Sequence, residues 1–275
     1  MNSDNHWHIC PEAITNLSSL PIARGGFGEV YTASYYGSDV AVKVLFRSHN
    51  EQELANFNRE ISIWFRLNHP NILPLLGACD ADDKHYMVSP LMQNGSLYRY
   101  LSNPQTNCSI RDRLQLMYQA ASGMAYLHGK NVIHGDLKSM NVLLDKSFNA
   151  VISDFGMSRT KASASVSRRM ASRETAGGTL DYMAPEMLDD ESPTGSTKAT
   201  DVYAFGIMLF EVFNSCNHIW TAIDGSPMRD SVIERQVCRG NRPKRLANIP
   251  DDIWALIELC WHQNAVQRPA FTRIL

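Results

Sequence analysis

No run of 18 consecutive apolar residues occurs in this sequence, and its N-terminus has no basic start leading into an apolar stretch, so neither a membrane span nor secretion is expected. The six cysteines, Cys10, Cys79, Cys108, Cys216, Cys238 and Cys260, include no C-x-x-C pair and fall at irregular intervals. A chain of this size does not need covalent staples, so reduced thiols in the cytoplasm are the expectation. An excess of charge of one sign is lacking as well. The formal net charge of −2 leaves no basic face or tail to make nucleic acid or an anionic membrane the main partner. Internal repeats and long low-complexity tracts are also missing. What remains is 275 residues, 44% of them apolar, enough to bury a core in one large domain or two lobes.

The apolar pattern changes period along the chain. Residues 21–46, "IARGGFGEVYTASYYGSDVAVKVLF" after Pro21, alternate short apolar runs with glycine and read as three antiparallel strands. Leu54, Phe57, Ile61 and Trp64 then recur at steps of three and four, a helical stripe over residues 51–68 that His69-Pro70 stops. "NILPLLGACDADDKHYMVSPLM" supplies two more strands around an acidic turn, and a hinge is expected near residues 90–95. Beyond it helical periodicity dominates. Ile110, Leu114, Met117, Ala121, Met124 and Leu127 mark the buried face of a long helix. The stretch after Asp154, "MSRTKASASVSRRMASRETAGG", is rich in serine and small residues and reads as a surface segment.

Five separated motifs follow one another in a meaningful order. "ARGGFGEV" is a glycine-rich turn between strands, where missing side chains let backbone N–H groups approach a phosphate. "VAVK" ends on Lys43, and Glu60 stands nine residues before His69 in "REISIWFRLNHPNI". "HGDLKSMN", residues 134–141, crowds an acid, a lysine and an amide, with "DFG" starting 18 residues after its aspartate and "APE" at 184–186. Asp201 in "DVYAFG" and Arg268 in "QRPAF" complete the set. From about residue 20 onward the chain resembles a protein kinase catalytic domain.

That resemblance implies an α+β, bilobal fold: a small N-lobe with a five-stranded antiparallel sheet and one helix over residues 21–92, and a larger, mainly helical C-lobe over 93–275. Residues 1–20 are then a lead or linker, and 157–183 the activation segment. It implies ATP and Mg²⁺ as cofactors and a protein hydroxyl as acceptor. Gly25, Gly26, Gly28 and Val30 match the phosphate-covering loop, with Ala23 in place of its first glycine. Lys43 would contact the α and β phosphates and pair with Glu60. Asp136 is the implied catalytic base, Lys138 the group that neutralises the transferring phosphoryl, and Asn141 and Asp154 the metal ligands. Val30, Ala41 and Leu143 would sandwich the adenine, with Ser89 as gatekeeper and Pro90 and Met92 at the hinge. His134, Asp201 and the pair Glu186–Arg268 are implied as structural supports. Trp64 would join Leu75, His134 and Phe155 in an apolar column.

Lys138 and Thr179 resemble serine/threonine rather than tyrosine kinases. "YYGSDVAVK", "HPNILPLLGAC", "DVYAFGIMLFEV" and "CWHQNAVQRPAF" resemble the tyrosine-kinase-like branch. Gly135 stands where many kinases carry the arginine that docks an activation-segment phosphate, so activity independent of such a phosphate is expected. The serines and threonines of 157–178 are candidates for autophosphorylation. Two other readings stay open: a pseudokinase that binds ATP as a scaffold, suggested by Ala23, Gly135 and the bulky Trp64 one turn after Glu60, and a small-molecule kinase, which "GGTLDYMAPE" argues against.

Overall fold

Tyr36 and Gly37 both adopt left-handed backbone conformations (φ 47° and 79°) in a two-residue turn that pairs Tyr35 with Ser38. Turns of this hand match the twist of antiparallel strands, and so this one closes the hairpin on which the first part of the chain is built. The computed structural model describes residues 6–25, 28–46, 58, 61–81, 84–155, 180–189 and 193–275. It divides into two units, residues 1–93 and 94–275.

Among its described residues the first unit has six strands: β1 (Ile14–Thr15), β2 (Ala23–Gly25), β3 (Gly28–Tyr35), β4 (Ser38–Phe46), β5 (Gly77–Ala81) and β6 (Lys84–Pro90). They form one antiparallel sheet in the order β1-β3-β4-β6-β5, with β2 also paired to β3. Along β4 the period of two is strict. Val40, Val42 and Val44 are buried on one face with Ala33, Cys79, Val88 and Ile9. The other face buries Ala78 and Met87 with Leu75, Ile61 and Trp7. A fully buried valine contributes about 1.5–3 kcal/mol relative to an exposed one, so the valine row alone is a large part of what holds the sheet. Of the helix read over residues 51–68, residues 58 and 61–68 are described: 58 and 61–64 are helical, 65–66 form a turn, and 67–68 are irregular. Ser62 donates to the Asn58 carbonyl at 2.8 Å, and Trp64 Nε1 to the Leu73 carbonyl at 2.7 Å.

The five strands expected from sequence are β2 to β6. The sixth, β1, comes from the stretch read as a lead or linker, of which residues 7–15 join the first unit. Trp7 and Ile9 are each 8% exposed, with exposed His8 between them. His8 forms a parallel bridge to Ala78 of β5, with Ile9 N donating to Ala78 O at 3.0 Å and Ala78 N to Trp7 O at 2.9 Å. Ile9 packs with the valine row and Trp7 with the cluster on the other face, so the segment gives each sheet face one apolar side chain.

The second unit is mainly helical: α1 (Leu97–Leu101), α2 (Ile110–Gly129), α3 (Lys198–Phe213), α4 (Asp230–Cys238), α5 (Asp251–Cys260) and α6 (Phe271–Ile274), with a two-stranded sheet of β7 (Val142–Leu144) and β8 (Ala150–Ile152). Ser109 and Asp112 form a reciprocal cap at the start of α2, satisfying two backbone N–H groups that the first turn leaves unpaired. The sequence stripe on α2 is buried from Met117 to Leu127, whereas Ile110 is 48% exposed because it sits in the first turn, beside the cap. Helix α3 is buried at every residue from Thr200 to Phe213, the mark of a helix around which others pack. No helix among the described residues is long and apolar enough to cross a membrane.

Candidate active site

In the first unit the strand register collects the candidate nucleotide-binding residues on one face. Val30 of β3 lies between Ala23 of β2 and Lys43 of β4, and Lys43 is in turn opposite Met87 of β6. Ala41, two residues from Lys43 and so on the same face, is opposite Ser89. Ala23, Val30, Ala41, Lys43 and Ser89 therefore share one face, opposite to the valine row. Pro90 ends β6 opposite Val40, and Met92 follows half-buried. Gly28 is required by close packing: at φ 151° a Cβ there would collide with the Val44 carbonyl oxygen. Gly25 has open space around it. Gly26 and Glu60 lie outside the described residues, as do Gly156 and the segment 157–179.

In the second unit a buried carboxylate organises the loop 134–141. Asp201, in the first turn of α3 and 1% exposed, accepts from His134 N at 2.9 Å and shares a 2.8 Å hydrogen bond with His128 Nε2 through Oδ2; its Oδ1 accepts from Gly135 N at 2.8 Å. Gly135 has φ 73°, a conformation that glycine adopts without strain. Two consecutive N–H groups thus turn toward one carboxylate. His134 has no exposed surface; its Nδ1 accepts from Asp136 N at 3.2 Å, leaving Nε2–H to donate to Ser153 O at 3.0 Å.

With its backbone held this way, Asp136 meets both expected neighbours. Lys138 Nζ is 3.4 Å from its Oδ2, and Asn141 Nδ2 donates to its backbone oxygen at 2.7 Å, with its carboxylate 3.3 Å away. Ser153 donates to the Asn141 carbonyl from N (2.9 Å) and Oγ (3.0 Å), tying the strand end before Asp154 to this loop. Asp154 has φ 56°, left-handed for a residue with a side chain, the kind of local strain that surrounding structure must hold in place. Asn141 commits its amide nitrogen to Asp136; its Oδ1 and the Asp154 carboxylate are oxygen donors that could hold a cation. Hard oxygen donors of this sort suit Mg²⁺, which keeps several waters and needs few protein ligands. Among the described residues no group of three or more His, Cys, Asp or Glu could form a closed metal cage. Leu143 lies half-buried on β7, opposite Val151.

Two further polar pairs brace the unit. Arg268, with no exposed side-chain surface, binds both oxygens of Glu186 at 2.6 and 2.8 Å and also donates to the carbonyls of His262 and Ala199. Tyr182 donates to Glu211 Oε2 at 2.6 Å inside the core. Burial pushes the Glu211 carboxyl up to about 7, against the Tyr182 hydrogen bond that favours its charged form. Ser139 Oγ is buried and favours ionised Glu211. Sequence reasoning passed over Glu211 and His128; for His128 the signal was a polar residue next to Leu127 on the buried stripe of α2.

The comparisons agree with this geometry. A family profile described as protein tyrosine and serine/threonine kinase matches residues 18–275. The chain belongs to the protein tyrosine and serine/threonine kinase family. This kinase domain is 38% identical over 262 residues to the serine/threonine-protein kinase CTR1 of Arabidopsis thaliana, covering 92% of the chain and 30% of that protein. It is 35% identical over 255 residues to the RGS domain-containing serine/threonine-protein kinase A of Dictyostelium discoideum, covering 92% of the chain and 21% of the relative. A probable serine/threonine-protein kinase of Arabidopsis thaliana, SIS8, is 36% identical over 261 residues, with 92% and 24% coverage. The kinase domain thus spans at most 30% of the length of these curated relatives.

Proposed function

We propose that the chain is an active serine/threonine protein kinase of the tyrosine-kinase-like branch, transferring the γ-phosphoryl group of ATP directly to a protein hydroxyl. The observation that carries the reading is the placement of Asp136, whose loop is fixed through Asp201 and whose carboxylate has Lys138 and Asn141 beside it. Asp136 orients the acceptor hydroxyl and takes its proton at a carboxylate oxygen. Lys138 offsets negative charge on the transferring group, and Lys43, projecting from the sheet face shared with Ala23, Val30, Ala41 and Ser89, anchors the phosphates. Asn141 and Asp154 would hold Mg²⁺, which would supply positive charge to offset the negative charge of the phosphates. Catalysis on this reading is mostly positioning and electrostatics.

Gly135 bears on regulation. A glycine has no guanidinium to receive an activation-segment phosphate, and its N–H is already committed to Asp201. The reading is that activity does not depend on a phosphate docked at this position. Phosphatase treatment should leave most of the activity in place; a large loss restored by autophosphorylation overturns this point.

Transfer of ³²P from ATP–Mg²⁺ to the chain and to a generic protein substrate, with Asp154→Asn and Lys43→Met beside the wild type, tests the main reading. Label on serine or threonine from the wild type alone supports it. Ala23, where the family pattern has its first glycine, favours a second reading as a nucleotide-binding pseudokinase. No transfer from folded wild type that ATP nonetheless stabilises against heat would establish it.

A further inference from the structure

Residues 7–9 are fitted into the first unit by a match that involves both chains of contact. Gly77, at the start of β5, has no room for a side chain: a Cβ there would stand 2.6 Å from both the Trp7 carbonyl oxygen and Ile9 Cγ2. The glycine lets the segment lie against the strand closely enough to exchange two backbone hydrogen bonds with Ala78. Trp7 then packs with Ile61, Leu75, Ala78 and Met87, with Leu45 and Trp64 against the same cluster. Ile61 and Trp64 are helical residues, and Ile61 directly follows Glu60 in the chain. Met87 is the cross-strand partner of Lys43, and Leu45 is two residues from Lys43 on the same face. Trp7 therefore shares one apolar cluster with the helical residues Ile61 and Trp64 and with the strand neighbours of Lys43.

We propose that Trp7 is a positioning residue for phosphoryl transfer, holding the helical residues Ile61–Trp64 against the Lys43 face of the sheet and so keeping Lys43 in place. The proposal rests on the kinase reading above. The indole supplies area on both sides at once, and its rigidity fixes the helix with little loss of side-chain freedom. Misalignment of the phosphate-contacting lysine weakens the transition state more than nucleotide binding, because the apolar pocket residues that hold the base remain in place.

The test compares wild type, Trp7→Ala, Trp7→Phe, Gly77→Ala and the double variant Trp7→Ala/Gly77→Ala. Steady-state kinetics are measured below the melting temperature of each, with hydrogen exchange followed in residues 61–64. Trp7→Ala should lower kcat about 10- to 100-fold with KM for ATP changed less than about twofold, and should speed exchange in the helix. Trp7→Phe should recover most of the activity. Gly77→Ala, which displaces the segment by pressing on the Trp7 carbonyl and on Ile9 while leaving the indole itself unchanged, should reproduce the kcat loss, and the double variant should lose little more than either single one. Unchanged kcat and unchanged helix exchange in Trp7→Ala overturn the proposal, as does full additivity in the double variant. If Trp7→Ala does not fold, Trp7→Phe and Gly77→Ala decide by the same two readouts. A wild type without transfer activity would defeat the kinase reading, while the exchange data would still report whether Trp7 holds the helix.

Discussion

The two units hold their chemistry-bearing residues by opposite means. Around Lys43 the sheet is built on apolar packing: a row of valines on the opposite face, and Met87 and Leu45 next to it on its own face, in the cluster that includes Trp7. Around Asp136 they are polar and buried, with Asp201 serving three donors and Arg268 closing on Glu186. Apolar packing is non-directional and tolerates exchange of shape at constant volume. A buried carboxylate is directional, and each donor left without it bears its full desolvation penalty. The sheet face is thus forgiving in detail, whereas the loop has few acceptable alternatives to the residues it has.

Substitutions can break or sharpen this contrast. The largest effect is expected for Asp136→Asn, which keeps shape and removes the proton acceptor: phosphotransfer should fall about 10²- to 10⁴-fold in a kinase assay, with the melting temperature nearly unchanged. Next comes Asp201→Ala. It orphans His134 N, Gly135 N and the His128 ring, and should lower unfolding free energy by about 3–5 kcal/mol in urea, since each buried orphan costs about 1–3 kcal/mol. Arg268→Lys removes the bidentate grip on Glu186 and should cost about 1.5–3 kcal/mol, read the same way.

A pH series separates the polar unit further. Glu211 has its carboxyl raised from 4.5 to about 7, so the folded state binds a proton more tightly than the unfolded one. Its contribution to stability is full below about pH 4.5 and is lost as pH rises to about 7. Asp181, raised to about 6, runs in the same direction over a lower window. Glu211→Gln should therefore flatten the decline in urea midpoint between pH 5 and 8 without removing it; equal slopes in both proteins would contradict the assignment. The smallest effect is expected on the apolar side, where Ile9→Val should cost about 0.5–1.5 kcal/mol. A loss there as large as that of Asp201→Ala would end the contrast.

Legibility in the sequence followed the range of the interactions. The strands of the first unit could be read because alternation and turn residues are written in adjacent positions, and the loop 134–141 because its acid, lysine and amide lie within eight residues. The carboxylate that fixes that loop stands 67 residues away from His134, a separation that no periodicity encodes. Glu186–Arg268 was anticipated only through family resemblance, and Tyr182–Glu211 was not anticipated at all. "HWHIC", residues 6–10, does alternate apolar and polar residues. It was passed over because it is short and followed by Pro11, and because what makes it a partner for β5 is an absent side chain at residue 77. Gly135 showed the same limit: its missing charge was visible in the sequence, its left-handed backbone was not.

One consequence of the segment 7–15 reaches beyond catalysis. Residues 7–9 pair with β5 at one end of the sheet order, and Ile14–Thr15 pair with β3 toward the other. The segment crosses the sheet and occupies hydrogen-bonding groups at both borders. A protein trimmed to residues 18–275, the span of the family match, would bare those borders together with the apolar surface around Ala78. Open strand edges beside apolar surface recruit other strands, so the trimmed protein should self-associate on concentration, whereas the longer chain resists it.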